Sequence, residues 1–107
     1  MYKRQSEWYD YDSKYHSNNK IIIPAEIDSK ITKEIKDIAI KCCKALNIFG
    51  YARVDFFLEK SSNKILINEI NTIPGFTKNS MFPLLWEASG LKIEQLVAKL
   101  VQISLDL

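Results

Sequence analysis

Cysteine, histidine, glycine and proline are all scarce in this chain of 107 residues, which holds two, one, three and three of them. Cys42 and Cys43 are adjacent inside a helical pattern, where neither an ordinary disulfide nor a metal-ligand spacing is available. They read as core and flank. His16 has no second histidine to work with and reads as a solvated loop residue with no role. Neither end holds an apolar run long enough to cross a membrane, and no charged start, apolar stretch and small-residue cleavage site forms a signal peptide. The expected place is the cytoplasm. Charge of either sign is not in excess either: 15 Lys and Arg face 13 Asp and Glu, for a net +2 at pH 7. The basic residues are spread rather than gathered in a stripe, which argues against a nucleic-acid partner. Internal repeats and low-complexity segments are lacking too. What remains is an ordinary soluble composition, 47% hydrophobic and 26% charged, enough for one domain with one modest core.

Along the chain, residues 1–19 are polar and aromatic without a period. The opening MYKRQ leads into nothing that the next segment needs and reads as a foreign scar, so residues 1–7 are expected to be a non-native or disordered start. KIIIP is a β-branched run stopped by Pro24 and predicts a short buried strand. Asp28 or Ser29 then caps a helix whose apolar face is Ile31, Ile35, Ile38, Ala39, Cys42 and Leu46, ending near Gly50. Residues 51–58 and 64–71 are strands by their β-branched and aromatic content, joined as a hairpin through Ser61, Ser62 and Asn63. Pro74 and Gly75 suit a type II turn that points a backbone N–H inward. Ser80 caps a short helix with Pro83 in its first turn, Gly90 closes it, and Ile93, Leu96, Val97, Leu100 and Val101 mark a last amphipathic helix. The fold class is α/β in the α+β sense, an antiparallel hairpin-containing sheet packed by helices.

The hairpin carries the chemistry. With the turn centred on Ser62, loop symmetry sets Asp55 opposite Glu69 and Arg53 opposite Asn71, and strand alternation brings all four side chains to one face. Facing carboxylates have Cβ atoms roughly 5 Å apart, and their repulsion loosens the sheet unless a cation lies between them. Arg53 supplies part of that charge. Two carboxylates and an amide oxygen are also hard ligands of the kind that hold magnesium against substrate phosphates. Taken alone, such a face is most often a solvated, salt-bridged surface, and a proline-glycine turn or a serine cap is most often only that. Their succession within a dozen residues is the signal, because the first amides of the Ser80 helix are free donors for an anion.

The segments ARVDFF, NEINTIPGFT and NSMFP closely resemble the carboxy-terminal part of D-alanine-D-alanine ligases, in the ATP-grasp superfamily, and YDYDSKY resembles their mobile active-site loop. The likeness runs from about Trp8 to Leu105 and implies a carboxy-terminal ATP-grasp domain over 8–107, incomplete by itself, with the loop at about 8–19. It implies ATP-dependent ligation: the carboxylate of one D-alanine is phosphorylated, the amine of a second attacks, and phosphate leaves, in the peptidoglycan synthesis of a bacterial cytoplasm. By this resemblance Asp55, Glu69 and Asn71 hold magnesium, for which manganese can substitute, and Asn68 and Glu69 lie against the ATP. Arg53 and the Gly75 amide stabilise the tetrahedral intermediate, and Ser80 with the Met81 amide grips the carboxylate of the second D-alanine. Lys14 and Tyr15 act from the closing loop, and Trp8 lies against adenine unless it is simply a core aromatic.

Within the family, the pair Lys14-Tyr15 and the sequence Ser80-Met81 favour the dipeptide over D-alanine-D-lactate or D-alanine-D-serine. The resemblance also implies amino-terminal and central domains upstream, and a homodimer for the full-length enzyme; the 107 residues alone are then expected to be inactive. A non-catalytic, metal-binding α/β fragment and another carboxylate-amine ligase are the rival readings, the latter disfavoured by the S-x-x-P segment.

Overall fold

The computed structural model describes residues 20–107. Their order is helix α1 (Ser29–Ala45), strands β1 (Arg53–Glu59) and β2 (Lys64–Asn71), then helices α2 (Met81–Ala88) and α3 (Ile93–Leu105). The expected α+β class is what the chain adopts, with one antiparallel two-stranded sheet among the described residues.

Helix α1 starts where Asp28 takes the N-cap and its carboxylate accepts the Lys30 N–H at 2.7 Å. That satisfies one of the donors every helix start leaves without an intrahelical partner. The Asp28→Ala variant is expected to lose about 1 kcal/mol of stability, read as a lower urea midpoint at unchanged slope. The other end departs from the sequence reading. The helix stops at Ala45, ahead of Gly50, because Asn47 already takes the left-handed conformation at φ 53°. Its N–H donates to the Lys44 carbonyl and the Ile48 N–H to the Cys43 carbonyl, the paired bonds of a Schellman motif. Cys42 and Cys43 are free thiols, both half-buried.

KIIIP is the clearest departure. No strand forms there, and Ile21 and Ile22 stay 64% and 42% exposed. β-Branched content states only that a residue fits a pleated, half-buried surface; it does not supply a neighbour to pair with. Among the described residues, β1 and β2 pair with each other alone.

The hairpin closes through a turn in which Asn63 adopts φ 59° and donates its N–H to the Glu59 carbonyl at 2.7 Å. The hydroxyls of Ser62 and then Ser61 bond the Glu59 carboxylate and hold its pKa below the usual glutamate range. A depressed carboxyl pKa contributes stability above the unfolded-state value and loses it as pH falls through the folded one. The turn is therefore expected to loosen on acidification, with the Ser61→Ala, Ser62→Ala double variant flattening that dependence in amide-exchange measurements.

The small core lies where α2 meets its neighbours. Phe82, 4% exposed, contacts the rings of Tyr51, Phe76 and Trp86, and Leu96 of α3 is 2% exposed. Pro83 is buried beside Phe82 in the first turn, where its missing N–H breaks no helical bond. Gly90 ends α2 as expected: at φ 97° it donates to the Glu87 carbonyl while Leu91 donates to Trp86, a second Schellman pair. Of the apolar face expected on α3, Leu96 is buried and Val97 and Val101 remain about half exposed.

Candidate functional site: a carboxylate pair and a hydroxyl at a helix start

β1 and β2 pair with Arg53 opposite Asn71 and Asp55 opposite Glu69, the register expected from loop symmetry. Toward the turn the register slips by one, so that Phe56 faces Ile67 and Glu59 faces Lys64. Asn68 is the extra residue of a β-bulge. The bulge reconciles two demands on β2. Ile65 and Ile67 share one parity and Ile70 has the other, yet each is paired with an apolar residue of β1: Leu58, Phe56 and Val54. Without one inserted residue, either the apolar set or the polar pair would emerge on the wrong face.

On the polar face Arg53 closes on Asp55 as a fork, Nε to Oδ1 at 2.8 Å and Nη2 to Oδ2 at 2.9 Å. The same Nη2 lies 3.6 Å from Oε1 of Glu69. These side chains are part-buried for Arg53 and Asp55 and more open for Glu69. The Asp55 hydrogen bonds raise the Arg53 pKa above its ordinary value, partial burial opposes them, and the charges of Asp55 and Glu69 add to the rise. The guanidinium is the cation that the facing carboxylates require. Asn71 ends the strand and its Oδ1 accepts the Ile73 N–H at 3.0 Å.

Among the described residues no trio of His, Cys, Asp or Glu gathers as a metal cage. The donor set here is two carboxylates and one amide oxygen, and it retains capacity. Each Asp55 oxygen accepts one N–H and keeps a lone pair, as does Asn71 Oδ1, while Glu69 lies beyond hydrogen-bond distance of Arg53. These residues fit a hard divalent cation that completes its shell with water or phosphate oxygens, as magnesium does.

The second cluster follows the hairpin. Pro74 is buried, but Gly75 does not take a positive φ, so the expected type II turn, which needs one at that place, does not form. A Cβ on Gly75 would come 3.1 Å from Ser80 Oγ, a tight contact that would push the Ser80 hydroxyl by a few tenths of an ångström. Ser80 stands at the N-cap of α2 with φ −78° and ψ 148°, yet its side chain makes no capping bond. Its hydroxyl is held by Thr77, whose N–H donates to it at 2.9 Å and whose Oγ1 is 2.6 Å away. With Pro83 lacking an N–H, the first turn of α2 offers the amides of Met81 and Phe82 as its donors. Thr77 is the residue that sequence reading missed; the Thr-x-x-Ser spacing just before an apolar helix was its signal.

The structure thus brings Arg53, Asp55, Glu69 and Asn71 to one face and Gly75, Ser80 and Met81 to one helix start. Asn68 is exposed at the bulge and makes no side-chain hydrogen bond among the described residues. Trp8, Lys14 and Tyr15 lie outside the described residues.

The family model described as D-ala D-ala ligase C-terminus matches residues 2–102. The chain is 90% identical over 103 residues to a D-alanine--D-alanine ligase of Prochlorococcus marinus strain MIT 9301, a match covering 96% of this chain and 29% of that protein. It spans less than a third of the length of the curated relatives it matches. Two solved structures share the fold. The VanG D-Ala:D-Ser ligase from Enterococcus faecalis aligns with a TM-score of 0.73 at 42% identity, over 78% of this chain and 24% of that one. A D-alanine--D-alanine ligase from Bacillus anthracis, complexed with ATP, aligns with a TM-score of 0.71 at 28% identity, over 77% and 28%.

Proposed function

We propose that this chain, which belongs to the carboxy-terminal family of D-alanine-D-alanine ligases, supplies the metal-binding and second-substrate side of a site that joins two D-alanines at the expense of ATP. The observation that carries the reading is the Asp55–Glu69 cross-strand pair with Arg53 set against both carboxylates. Arg53 already balances part of their charge, and the lone pairs left over on Asp55 and the open Glu69 carboxylate remain for a divalent cation. Asp55, Glu69 and Asn71 would hold magnesium, or manganese in its stead, which would supply positive charge against the ATP phosphates. ATP as the phosphoryl donor is supported by the ATP complex of the Bacillus anthracis relative.

The residues of this chain then divide the remaining work. Arg53 stabilises the negative charge that develops when the second amine attacks the acyl phosphate, and the Gly75 amide donates to the same oxyanion. Ser80 and the Met81 amide receive the carboxylate of the second D-alanine, with the helix start favouring an anion there. Lys14 and Tyr15 close over the site from the loop at about 8–19, Trp8 lies against adenine, and Asn68 and Glu69 flank the nucleotide. Closure keeps water from the acyl phosphate. Amino-terminal and central domains outside these residues would provide the first D-alanine site and the rest of the ATP clamp, and the full-length protein would work as a homodimer. The product serves peptidoglycan synthesis in the bacterial cytoplasm. No described helix is long and apolar enough to cross a membrane.

The dipeptide product is favoured by Lys14-Tyr15 and by Met81 after Ser80. The 42% identity to a D-Ala:D-Ser ligase over the same stretch makes the second substrate the point to test. A hybrid in which residues 8–107 replace the matching stretch of the MIT 9301 relative is expected to release ADP with D-alanine alone, faster than with D-alanine plus D-serine or D-lactate. No D-alanine-dependent release would contradict the proposal, and preference for D-serine would reassign the product. The 107 residues by themselves are expected to show no turnover, since they correspond to 29% of that relative.

A further inference from the structure

The geometry points to Thr77 as the residue that turns Ser80 into an obligate hydrogen-bond donor for the carboxylate of the second amino acid. A serine hydroxyl has one proton and two acceptor sites. At Ser80 Oγ both acceptor sites have a donor within reach on a single residue: the Thr77 N–H at 2.9 Å and the Thr77 hydroxyl at 2.6 Å. Either hydroxyl can donate across the 2.6 Å contact, and a carboxylate that accepts the Ser80 proton selects the arrangement in which the Thr77 hydroxyl donates and both lone pairs of Ser80 Oγ are used. Such a hydroxyl binds an acceptor and rejects a donor. A carboxylate is the ligand that satisfies it, whereas an ammonium group meets only a proton.

Two further features make the arrangement specific to this place. Ser80 occupies the N-cap but does not cap, so its hydroxyl does not compete for the Met81 and Phe82 amides, and all three donors lie at one helix start. The Ser80 N–H is meanwhile committed to the Thr77 carbonyl at 3.0 Å, which closes the segment from Thr77 to Ser80 into a turn. Gly75 completes the setting, since a side chain there would crowd Ser80 Oγ at 3.1 Å. Thr77 touches no substrate in this scheme. It is a positioning residue, acting through Ser80.

The inference rests on the proposed carboxylate-binding role of Ser80. The test is a double-mutant cycle in the hybrid enzyme with Thr77→Val, Ser80→Ala and the two combined, with Thr77→Ser as the conservative variant. Thr77→Val keeps the amide bond and the side-chain shape but removes the hydroxyl. It is expected to raise the KM for the second D-alanine about five- to tenfold with little change in kcat, the loss of roughly one good hydrogen bond. Thr77→Ser restores the native value. In the Ser80→Ala background the Thr77→Val change has no further effect, because its route to substrate is gone.

Equal KM changes from Thr77→Val with and without Ser80, or no rescue by serine, would overturn the inference while leaving the ligase reading intact. A second readout does not need turnover. In the same protein the Thr77 amide is expected to exchange with solvent more slowly than in Ser80→Ala; equal exchange rates would remove the contact on which the inference stands. Failure of the native hybrid to turn over with a protected Thr77 amide would instead contradict the proposed function.

Discussion

Arg53→Gln is expected to lower kcat in the hybrid enzyme by about 10² to 10³, the usual loss when one preorganised donor to a developing oxyanion is removed. Binding of the second D-alanine should change far less, because Ser80 and the Met81 amide remain. The substitution has a second consequence in the folded state. Arg53 is the cation held against Asp55 at 2.8 Å and near Glu69 at 3.6 Å, so its removal leaves facing carboxylates unbalanced. The variant should therefore be less stable without metal and recover part of that loss with excess magnesium. Melting curves with and without the metal, beside kcat at saturating substrate, separate the effects. An unchanged kcat would assign Arg53 to structure alone.

Phe82→Ala is expected to have the largest effect on stability. Phe82 is 4% exposed and meets Tyr51, Phe76 and Trp86 with ring centroids 5.5, 6.0 and 6.5 Å away. Truncating a buried phenylalanine typically costs about 3–5 kcal/mol, including the cavity left behind. Small domains have stabilities of about 5–15 kcal/mol in total, so such a loss is a large fraction of the whole. Among the described residues the other buried side chains are Pro74, Pro83 and Leu96, which leaves little to take over the role of Phe82. Urea unfolding of the 107-residue chain, followed by tryptophan fluorescence, should show a strongly lowered midpoint or no cooperative transition at all. A midpoint within experimental error of the native one would place the core elsewhere. The position also bears on function: Phe82 is the second residue of α2, and its packing fixes the helix start that presents the Met81 amide.

How much of this was legible beforehand depends on whether a residue's behaviour is set by its immediate neighbours. The pairing of Arg53 with Asn71 and Asp55 with Glu69 agrees with a turn centred on Ser62, yet Glu59 faces Lys64, so the turn itself lies slightly earlier and the bulge at Asn68 restores the agreement. The bulge at Asn68 was written in the change of apolar parity between Ile67 and Ile70, but only an explicit check of each face would have found it. Asn47 ended α1 ahead of Gly50 because asparagine also tolerates the left-handed conformation, and the sequence offers both residues within a few positions. The KIIIP segment illustrates the opposite limit. Its β-branched residues state a preference, and a strand exists only where another strand can pair with it.

The second cluster shows a subtler limit. Ser80 was recognised as an N-cap by position, and it has that position, but its hydroxyl is taken by Thr77. Propensity identifies where a serine belongs and is silent on which of two nearby donors wins. Gly75 lacks the positive φ of a type II turn, and a side chain there would press on Ser80.

The account stands on the claim that the Asp55–Glu69 face holds the metal of an ATP-dependent ligation. The most direct test is D-alanine-dependent ADP release by the hybrid carrying residues 8–107, compared with the same protein bearing Asp55→Asn and Glu69→Gln. Both substitutions keep side-chain size and remove the charge that a divalent cation needs. The account predicts turnover in the first and none above background in the second, with the fold retained; equal turnover in both would make the carboxylate pair a salt-bridged surface.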